Sequence, residues 1–321
     1  MAFNVRKLLI VILLPTLPLI ASDKKPKPLQ EIILDPTLKN TLSQDLPARK
    51  ILLDSQENAW ILGTKLLWKW VPKRSQVLQI KLSAKTPPLK LMEIRGDHVF
   101  ASDDEHIYQV DTDSLQTTRF GSPLKNSLAL GLIANTHALY WVKTDGIYEL
   151  NNQSKTLQKI LIHNFTDEEN AKFLYIPTTK TLWILRDHEL SYASYGNKNK
   201  PIKFGKIEKN IDDIQQVHND IFAISRTSIH RYTKRGKLME TIPVSSTRRL
   251  VLSHFQPNTH AFIFHDRLLE LHLPIDKRSF HFYLDIGKVH KADAMSLNQS
   301  LLGLVLDGTP RLFQVSKGSA S

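Results

Sequence analysis

Histidine is the metal-binding side chain that this sequence concentrates most strongly in one stretch. The chain has 13 histidines, and four of them, His254, His260, His265 and His272, fall close together. Imidazole is a common zinc ligand, but a zinc site needs ligands at set spacings, and the sequence has no HExxH motif and no cysteine. We therefore predict no metal and no other cofactor.

The sequence also lacks the usual marks of a catalytic centre. There is no GxSxG nucleophile motif and no glycine-rich phosphate loop. Polar residues do occur at or near the ends of the apolar runs that we assign below to inner strands: Asp54, Arg95, His218, His254 and Asp293. No set among them repeats as a metal cage would. The pattern favours turn residues, and we predict no catalytic residue.

Aromatic and basic residues supply the binding candidates. Trp68 and Trp70 lie in one strand-like run of the first unit, and Tyr192 and Tyr195 precede a run of lysines. Basic residues beside aromatic rings suit a glycan or a nucleic acid, although the run is more typical of an exposed outer strand and its connector. The candidate partner-facing residues are Trp68, Trp70, Tyr192, Tyr195, Lys198, Lys200 and Lys203.

A repeat of about forty residues positions these side chains. It is marked by one large apolar residue per unit, in a strand that follows a polar turn: Trp60, Phe100, Tyr140, Trp183, Phe222, Phe262 and Leu302. The intervals between these anchors are 40, 40, 43, 39, 40 and 40 residues. Asn, Asp and Gly in most of the preceding turns tolerate the positive φ of tight hairpins.

Each unit reads as four short strands, which is the composition of a β-propeller blade. The sequence therefore predicts an all-β fold, a seven-bladed propeller with four-stranded antiparallel blades. The last unit supplies three strands, whereas residues 28–35 near the start read as one isolated strand. We expect Glu31 to Leu34 to complete the last blade and so remove the open sheet edge.

The first unit resembles the repeat of the two-component regulator propellers. The residues that carry the likeness are Asp54, Asn58, Trp60, Ile61, Gly63, Thr64 and Leu67. The resemblance implies the propeller fold. Members of that family usually continue into a membrane helix and a kinase, and this chain stops after the seventh unit, so we expect no signalling output. The layout is also similar to periplasmic propellers with quinoprotein-like repeats that act as assembly scaffolds.

The first 21 residues have the pattern of a secretory signal. Arg6 and Lys7 precede an apolar run, and a small residue, Ala21, stands before Ser22. Two prolines and a short apolar run favour cleavage near Ala21–Ser22 over an anchor helix. We predict a signal peptide at 1–21, a basic Pro-rich linker at 22–28, one propeller domain at 29–316 and a tail at 317–321.

Charge and cysteine usage indicate the compartment and the partner. The formal charge is +12, with lysines dispersed along the chain, and there is no cysteine. Dispersed lysine suits solubility and edge protection, and a net positive charge also suits an acidic partner. We predict a periplasmic or secreted monomer without a transmembrane span after cleavage. It would bind a protein of the cell envelope or an acidic polymer rather than nucleic acid. The alternative is a lyase or lactonase with its site at the channel mouth.

Overall fold

The computed structural model of this chain is an all-β propeller, and short segments between its strands are not described. It covers residues 27–82, 88–120, 127–134, 138–151, 154–165, 171–194, 204–217, 220–243, 251–256, 259–264, 268–273, 278–283, 292–298 and 300–315. The proposed signal at 1–21 and the linker up to residue 26 lie outside these ranges. Among the described residues, no helix is long and apolar enough to cross a membrane.

The strands form antiparallel sheets that follow the chain, with one sheet for each sequence unit. Their bounds are Lys50–Leu53, Ala59–Leu62, Leu67–Val71 and Gln76–Ile80 in sheet 1; Leu91–Arg95, His98–Ser102, Ile107–Asp111 and Thr117–Phe120 in sheet 2; Ala129–Ala134, Leu139–Lys143, Gly146–Asn151 and Thr156–Ile162 in sheet 3; Lys172–Ile176, Thr181–Arg186, Glu189–Ser194 and Gly205–Lys209 in sheet 4; and Ile211–Val217, Asp220–Ser225, Ser228–Thr233 and Leu238–Pro243 in sheet 5.

Two further sheets combine late strands with strands from the start of the chain. Sheet 6 contains Val251–Gln256, Thr259–Phe264, Leu268–Leu273 and Arg278–Tyr283, with Lys27–Pro28 as a fifth strand that runs parallel to the last of these; sheet 7 contains Ala292–Leu297, Leu301–Leu306, Thr309–Gln314 and Gln30–Ile32. Within the described ranges, six sheets are therefore four-stranded blades, and sheet 6 departs from the expected four strands.

The N-terminal strand of sheet 7 differs slightly from the expected one. Gln30–Ile32 pairs antiparallel with the strand Thr309–Gln314, and Glu31 lies opposite Phe313. The sequence predicted a strand from Glu31 to Leu34. The observed strand is shorter because Asp35 caps a helix that the sequence analysis missed, Pro36–Ser43. The Asp35 carboxylate accepts a hydrogen bond of 2.8 Å from the Thr37 N–H, and Pro36 suits the first helical position.

Buried apolar side chains pack between neighbouring sheets from sheet 7 through sheet 1 to sheet 5, and the first strands lie innermost. The first strand of each sheet contacts the first strand of the next, and the first strand of sheet 7 contacts that of sheet 1. The first hairpin turn of each sheet, such as Gly96–Asp97 in sheet 2, lies at one end of the ring, which we call the upper rim. The second hairpin turn lies at the other end, the lower rim.

The predicted anchors fill the gaps between neighbouring sheets. In sheets 1 to 5 each anchor lies on the second strand, and its side chain is at most 5% exposed. Trp60 packs with Met92 and Val99 of sheet 2, and Trp183 packs with Ile214 of sheet 5. The sequence period therefore identified the side chains that separate and join the blades.

Trp68 and Trp70 do not face a partner, and that part of the prediction is wrong. They are 3% and 2% exposed and pack with Leu301 and Leu312 of sheet 7. Both rings were predicted to belong to an exposed aromatic surface. In a propeller both faces of a blade are covered by neighbouring blades, so the second face is buried too.

The turn before Trp60 is held by one buried carboxylate. Asp54, 2% exposed, accepts hydrogen bonds from the Trp60 indole N–H at 2.9 Å, the Asn58 N–H at 2.8 Å and the Gln56 N–H at 2.9 Å. The Asn58 side-chain amide also donates to it, at 2.9 Å. Asp54, Asn58 and Trp60 belong to the motif that carries the family resemblance, and these hydrogen bonds give their co-occurrence a physical reason.

Asp45 has the corresponding role at the lower rim of sheet 1. Its carboxylate accepts from the Trp68 indole N–H at 3.1 Å, from the Thr64 hydroxyl at 2.6 Å and from the Leu66 N–H at 2.9 Å. A Cβ at Gly63 would lie 1.9 Å from the Asp45 carboxylate, so only glycine fits there. Sequence reasoning missed Asp45 because it lies outside the repeat.

Replacing the Asp54 carboxylate should destabilise the ring. In Asp54→Asn an amide –NH₂ would face donors of Asn58 and Trp60, and we expect the free energy of unfolding to fall by about 2–3 kcal/mol. Asp187→Asn is the matched control, since that side chain is 89% exposed, and it should change stability by less than about 0.5 kcal/mol. Urea unfolding followed by tryptophan fluorescence measures both. Equal stability of the two variants would contradict this role for Asp54.

Candidate functional site

The gap between sheets 1 and 2 is filled by side chains near its upper rim. Opposite Trp60 on the third strand lies Lys69, which is 6% exposed. The Lys69 ammonium donates to the Thr112 carbonyl of sheet 2 and lies 5.3 Å from the centroid of the Trp60 ring. A large ring and a long side chain together therefore fill this gap.

The corresponding gap between sheets 2 and 3 is not filled. The equivalent positions hold Phe100, Gln109 and Thr118, paired side by side across the strands. Each of these side chains is smaller than its counterpart in sheet 1, where the three positions hold Trp60, Lys69 and Leu78 in the same order. A cavity of about 610 Å³ remains, within the size range of small-ligand sites. We call it the inter-blade cleft; its lining residues are Arg95, Gly96, Asp97, His98, Phe100, Gln109, Thr118, Phe120 and Lys155.

The inter-blade cleft combines an apolar floor with charged walls. Phe100 and Phe120, 3% and 2% exposed, form the floor. Arg95 and His98 stand on the sheet 2 side, and Lys155 reaches the cleft from the turn after Asn151 in sheet 3. Arg95, Lys155 and the His98 imidazole can donate to an anion, the Asp97 carboxylate can accept from a donor, and the phenylalanine rings favour an apolar group.

One carboxylate beside the cleft is already satisfied. Asp111 lies 3.8 Å from the His98 imidazole and accepts from the Ser114 N–H at 2.7 Å and the Ser114 hydroxyl at 2.8 Å. These hydrogen bonds from Ser114 hold the pKa of Asp111 below its usual value. Asp111 therefore stays ionised beside His98, whereas Arg95 and Lys155 are among the residues that line the cleft.

The backbone around the cleft is tied down from two sides. Thr112 donates to the Asp97 carbonyl through its N–H at 2.9 Å and through its hydroxyl at 3.1 Å. The Thr112 carbonyl in turn accepts from Lys69 of sheet 1. These contacts join the first and third turns of sheet 2 and link them to sheet 1, so the cleft wall is positioned before any ligand arrives.

At the lower rim, the same pair of sheets is closed by a buried lysine. Lys143 of sheet 3 is 0% exposed, donates to the Asp104 carbonyl of sheet 2 and lies 4.3 Å from the centroid of the Trp141 ring. The Asp104 carboxylate accepts from the Ala129 N–H at 2.9 Å. Burial lowers the pKa of Lys143 to about 8, against the opposing effect of nearby carboxylates, first among them Asp145.

A second polar group near this rim is internally satisfied. The Asp145 carboxylate accepts from the Ser127 hydroxyl at 2.5 Å, from the Tyr148 hydroxyl at 2.6 Å and from the Lys159 ammonium. Burial alone would raise the pKa of Asp145, but the bonds from Lys159, Ser127 and Tyr148 lower it to about 2. Because its donors are all neighbours, this group supports sheet 3 and offers no open site.

The residues predicted to bind are only partly brought together. Tyr192 is half-buried and packs on Trp183, with ring centroids 5.2 Å apart. Tyr195, Lys198, Lys200 and Lys203 lie outside the described residues. Lys206 and Lys209, from the same basic run, lie on the outermost strand of sheet 4, where Lys206 pairs with Glu189 at 2.9 Å.

The structure also separates the polar residues predicted near the channel. Asp54 is buried in its turn, whereas Arg95 lines the inter-blade cleft. His218 lies outside the described residues, as do the side chains of His254 and Asp293. Of the side chains that are described, no three His, Asp or Glu residues group as a metal site.

Sequence reasoning missed most of the inter-blade cleft. Phe100 was recognised as an anchor and Arg95 as a strand-end residue, but Lys155, His98 and Thr118 were not considered. A signal was present in the repeat. The residue nine positions after the anchor is Lys69 in the first unit and the shorter Gln109 in the second. Comparing side-chain sizes between units would have located the gap.

No protein-family model matches the chain, and no curated relative matches it. Solved structures do match in fold. YCF48 bound to D1 peptide has a TM-score of 0.62 at 10% identity, covering 91% of this chain and 98% of that one. A catalytically inactive virginiamycin B lyase from Staphylococcus aureus with quinupristin gives 0.61 at 10%, covering 89% and 98%.

A third match is PorZ, an essential bacterial surface component of the type-IX secretion system of Porphyromonas gingivalis. Its TM-score is 0.59 at 7% identity, covering 85% of this chain. The present chain spans 37% of that longer protein. At these identities the likeness establishes the β-propeller fold, which is shared by proteins of very different activity.

The buried Lys143 should make stability depend on pH in a defined direction. Its pKa of about 8 in the fold lies below the ~10.4 of an unfolded lysine, so between these pH values the unfolded chain binds more protons and stability rises with pH. Relative to Lys143→Met, the wild type should gain about 2–3 kcal/mol between pH 7 and 10.5. Urea unfolding at several pH values measures this difference.

Lys159→Met serves as the opposite control. Despite partial burial, hydrogen bonds to Asp145 and Tyr148 raise the pKa of Lys159. Its stabilising contribution should stay constant up to the unfolded pKa and decline above it. A difference between wild type and Lys143→Met that stays flat with pH would show that Lys143 is not held as a buried cation.

Proposed function

We propose that this chain is an exported β-propeller that binds a protein of the cell envelope and acts as a scaffold. The observation that carries the proposal is the inter-blade cleft. It is preformed, opens beside the upper rim, and pairs cationic walls with an apolar floor, as a binding surface for part of another protein requires. The proposal of export depends on the basic and apolar pattern of residues 1–21 and on cleavage near Ala21–Ser22.

The basic charge of the chain supports an acidic partner. The formal charge is +12. A net positive surface speeds encounter with acidic partners, but only a shaped site gives selectivity among them. An acidic polymer of the envelope would use the dispersed lysines, whereas a protein segment would also use the Phe100 and Phe120 floor, which favours the protein.

We further propose that the ring has seven blades and is held closed by the N-terminal strand. The support is the contact of first strands from sheet to sheet around to sheet 1, and the pairing of Gln30–Ile32 with Thr309–Gln314. The side chains of sheet 7 also contact sheet 1, where Ser296 accepts from the Leu53 N–H at 3.0 Å. A closed ring would give the cleft a rigid frame.

A lyase or lactonase remains the second candidate function, with its site at the channel mouth. It requires carboxylates and histidines that converge at one end of the ring. The likeness to virginiamycin B lyase concerns fold alone at 10% identity. The two candidates differ in what they bind tightly, since the lyase would retain a metal and the scaffold would retain a protein.

A cross-linked pull-down should separate these functions. The chain from Ser22 onward, incubated with cell-envelope extract, should capture one stoichiometric protein that survives washing at about 0.3 M salt, where exposed charge pairs are screened. An unrelated protein of equal net charge is the control bait. No specific protein, together with a metal retained through purification, would overturn the scaffold proposal in favour of the lyase.

Removal of residues 22–34 should open sheet 7. Amide hydrogen exchange of residues 312–314 should become faster, because those residues lose the strand that they pair with, while Thr117–Phe120 in sheet 2 should remain protected. Exchange read by mass spectrometry after peptide digestion distinguishes these segments. Unchanged protection at 312–314 would contradict closure by the N-terminal strand.

A further inference from the structure

The inter-blade cleft has the features of a site for one kind of ligand. We propose that it binds an acidic peptide segment of the partner, one in which a carboxylate stands next to an apolar side chain, with Arg95 and Lys155 contacting the carboxylate and Phe100 and Phe120 contacting the apolar group. This inference rests on the proposed function, because it names the part of the partner that is recognised.

The two cations lie on different sheets, and that placement supports a bridging role. Arg95 ends the first strand of sheet 2, and Lys155 precedes the last strand of sheet 3. Both line the same cavity of about 610 Å³. A carboxylate between them would receive charge-assisted hydrogen bonds from both sheets, and guanidinium and ammonium groups bind carboxylates more strongly than neutral donors do.

The polar groups of the cleft favour a peptide over a polyanion. Asp97 lines the cleft beside the cations, and Asp111 lies next to His98. A chain of phosphates has no hydrogen-bond donor to offer the Asp97 carboxylate. A peptide instead carries backbone N–H groups, which can donate to Asp97, and backbone carbonyls, which can accept hydrogen bonds from Gln109 and Thr118.

The apolar floor supplies the remaining selectivity. Phe100 and Phe120 belong to the core cluster between sheets 2 and 3, which also contains Leu139 and Trp141. Their inner faces are packed, and their outer edges border the cleft. An apolar side chain placed on them would extend this core into the space that Trp60 and Lys69 occupy in the neighbouring gap, with a gain from the apolar area that it removes from water.

The test uses a fluorescein-labelled six-residue peptide that carries two carboxylates around one phenylalanine, with the full chain from Ser22 onward. Fluorescence anisotropy should detect saturable binding. Arg95→Glu and Lys155→Glu should each weaken it about tenfold or more, as expected for loss of a charge-assisted hydrogen bond. The same peptide with amides in place of its carboxylates should bind wild type no more tightly than the acidic peptide binds these variants.

Lys180→Glu is the matched control for Lys155→Glu. Both lysines are exposed, and both have left-handed backbone conformations, with φ of 52° at Lys180 and 53° at Lys155. The two variants therefore change net charge and local strain equally. Binding by Lys180→Glu should stay within about twofold of wild type, because Lys180 precedes the second strand of sheet 4, does not line the cleft, and its exposed charge is screened by salt.

A variant without charge change tests the volume of the cleft. Thr118→Trp should fill it from the outer strand and abolish binding, with the urea midpoint verifying that the variant is folded. Binding that is unaffected by Arg95→Glu, Lys155→Glu and Thr118→Trp would overturn the proposal. So would displacement of the peptide by inorganic polyphosphate at lower concentration than by unlabelled peptide.

The envelope pull-down distinguishes failure of this inference from failure of the scaffold function. A partner captured equally by wild type and by the Arg95→Glu/Lys155→Glu double variant would leave the scaffold standing and place its interface away from the cleft. The opposite outcome is also distinguishable. If the peptide binds wild type but not the variants, and wild type captures no envelope protein, the acidic-peptide site is supported and the scaffold role is overturned.

Discussion

Packing between neighbouring sheets is the constraint on which this ring depends. Each sheet contacts two others, so both of its faces must exclude water, and in sheets 1 to 5 and sheet 7 a large apolar side chain on the second strand is buried. Trp60 and Trp183 are 0% exposed in this position, and Tyr140 is 3% exposed. Because protein interiors pack at crystal-like density, a smaller side chain at such a position leaves a space that the neighbours cannot close. The inter-blade cleft lies where Phe100, Gln109 and Thr118 take the places of longer side chains.

The period of the sequence predicted the strands well because it reflects this packing. An anchor every forty residues must occupy the same place in every blade, and the structure puts Trp60, Phe100, Tyr140 and Trp183 on equivalent strands. Trp68 and Trp70 were predicted to face a partner because they are aromatic, whereas both are buried. Alternation along a strand shows which residues share a face, but not whether that face meets solvent or another sheet. For Trp68 and Trp70, the packing of sheet 1 against sheet 7 decides that.

The family resemblance of the first unit has a local physical cause, and this explains why it fades elsewhere. Asp54 holds both Asn58 and the indole of Trp60, so these residue types are required together. In sheet 4 the turn before Trp183 contains Thr179 and Lys180 and no carboxylate, and the Trp183 indole N–H has no hydrogen-bond partner among the described residues. Asp45 was beyond reach of sequence reasoning, because its contacts to Thr64 and Trp68 cross 19 and 23 residues.

The interface between sheets 2 and 3 is asymmetric. It is bridged by a buried lysine at the lower rim and open at the upper rim. At the lower rim the fully buried Lys143 bridges the sheets, although burial of an ammonium opposes its charge and lowers its pKa to about 8. The Asp104 carbonyl and the Trp141 ring offset that cost through a hydrogen bond and a cation–π contact. With the separation of the sheets set from below, the upper end needs no bridging side chain of its own. Arg95 and Lys155 can therefore stand on opposite walls of an open cleft, and a ligand that joins them would bind to a surface whose spacing the fold has already set.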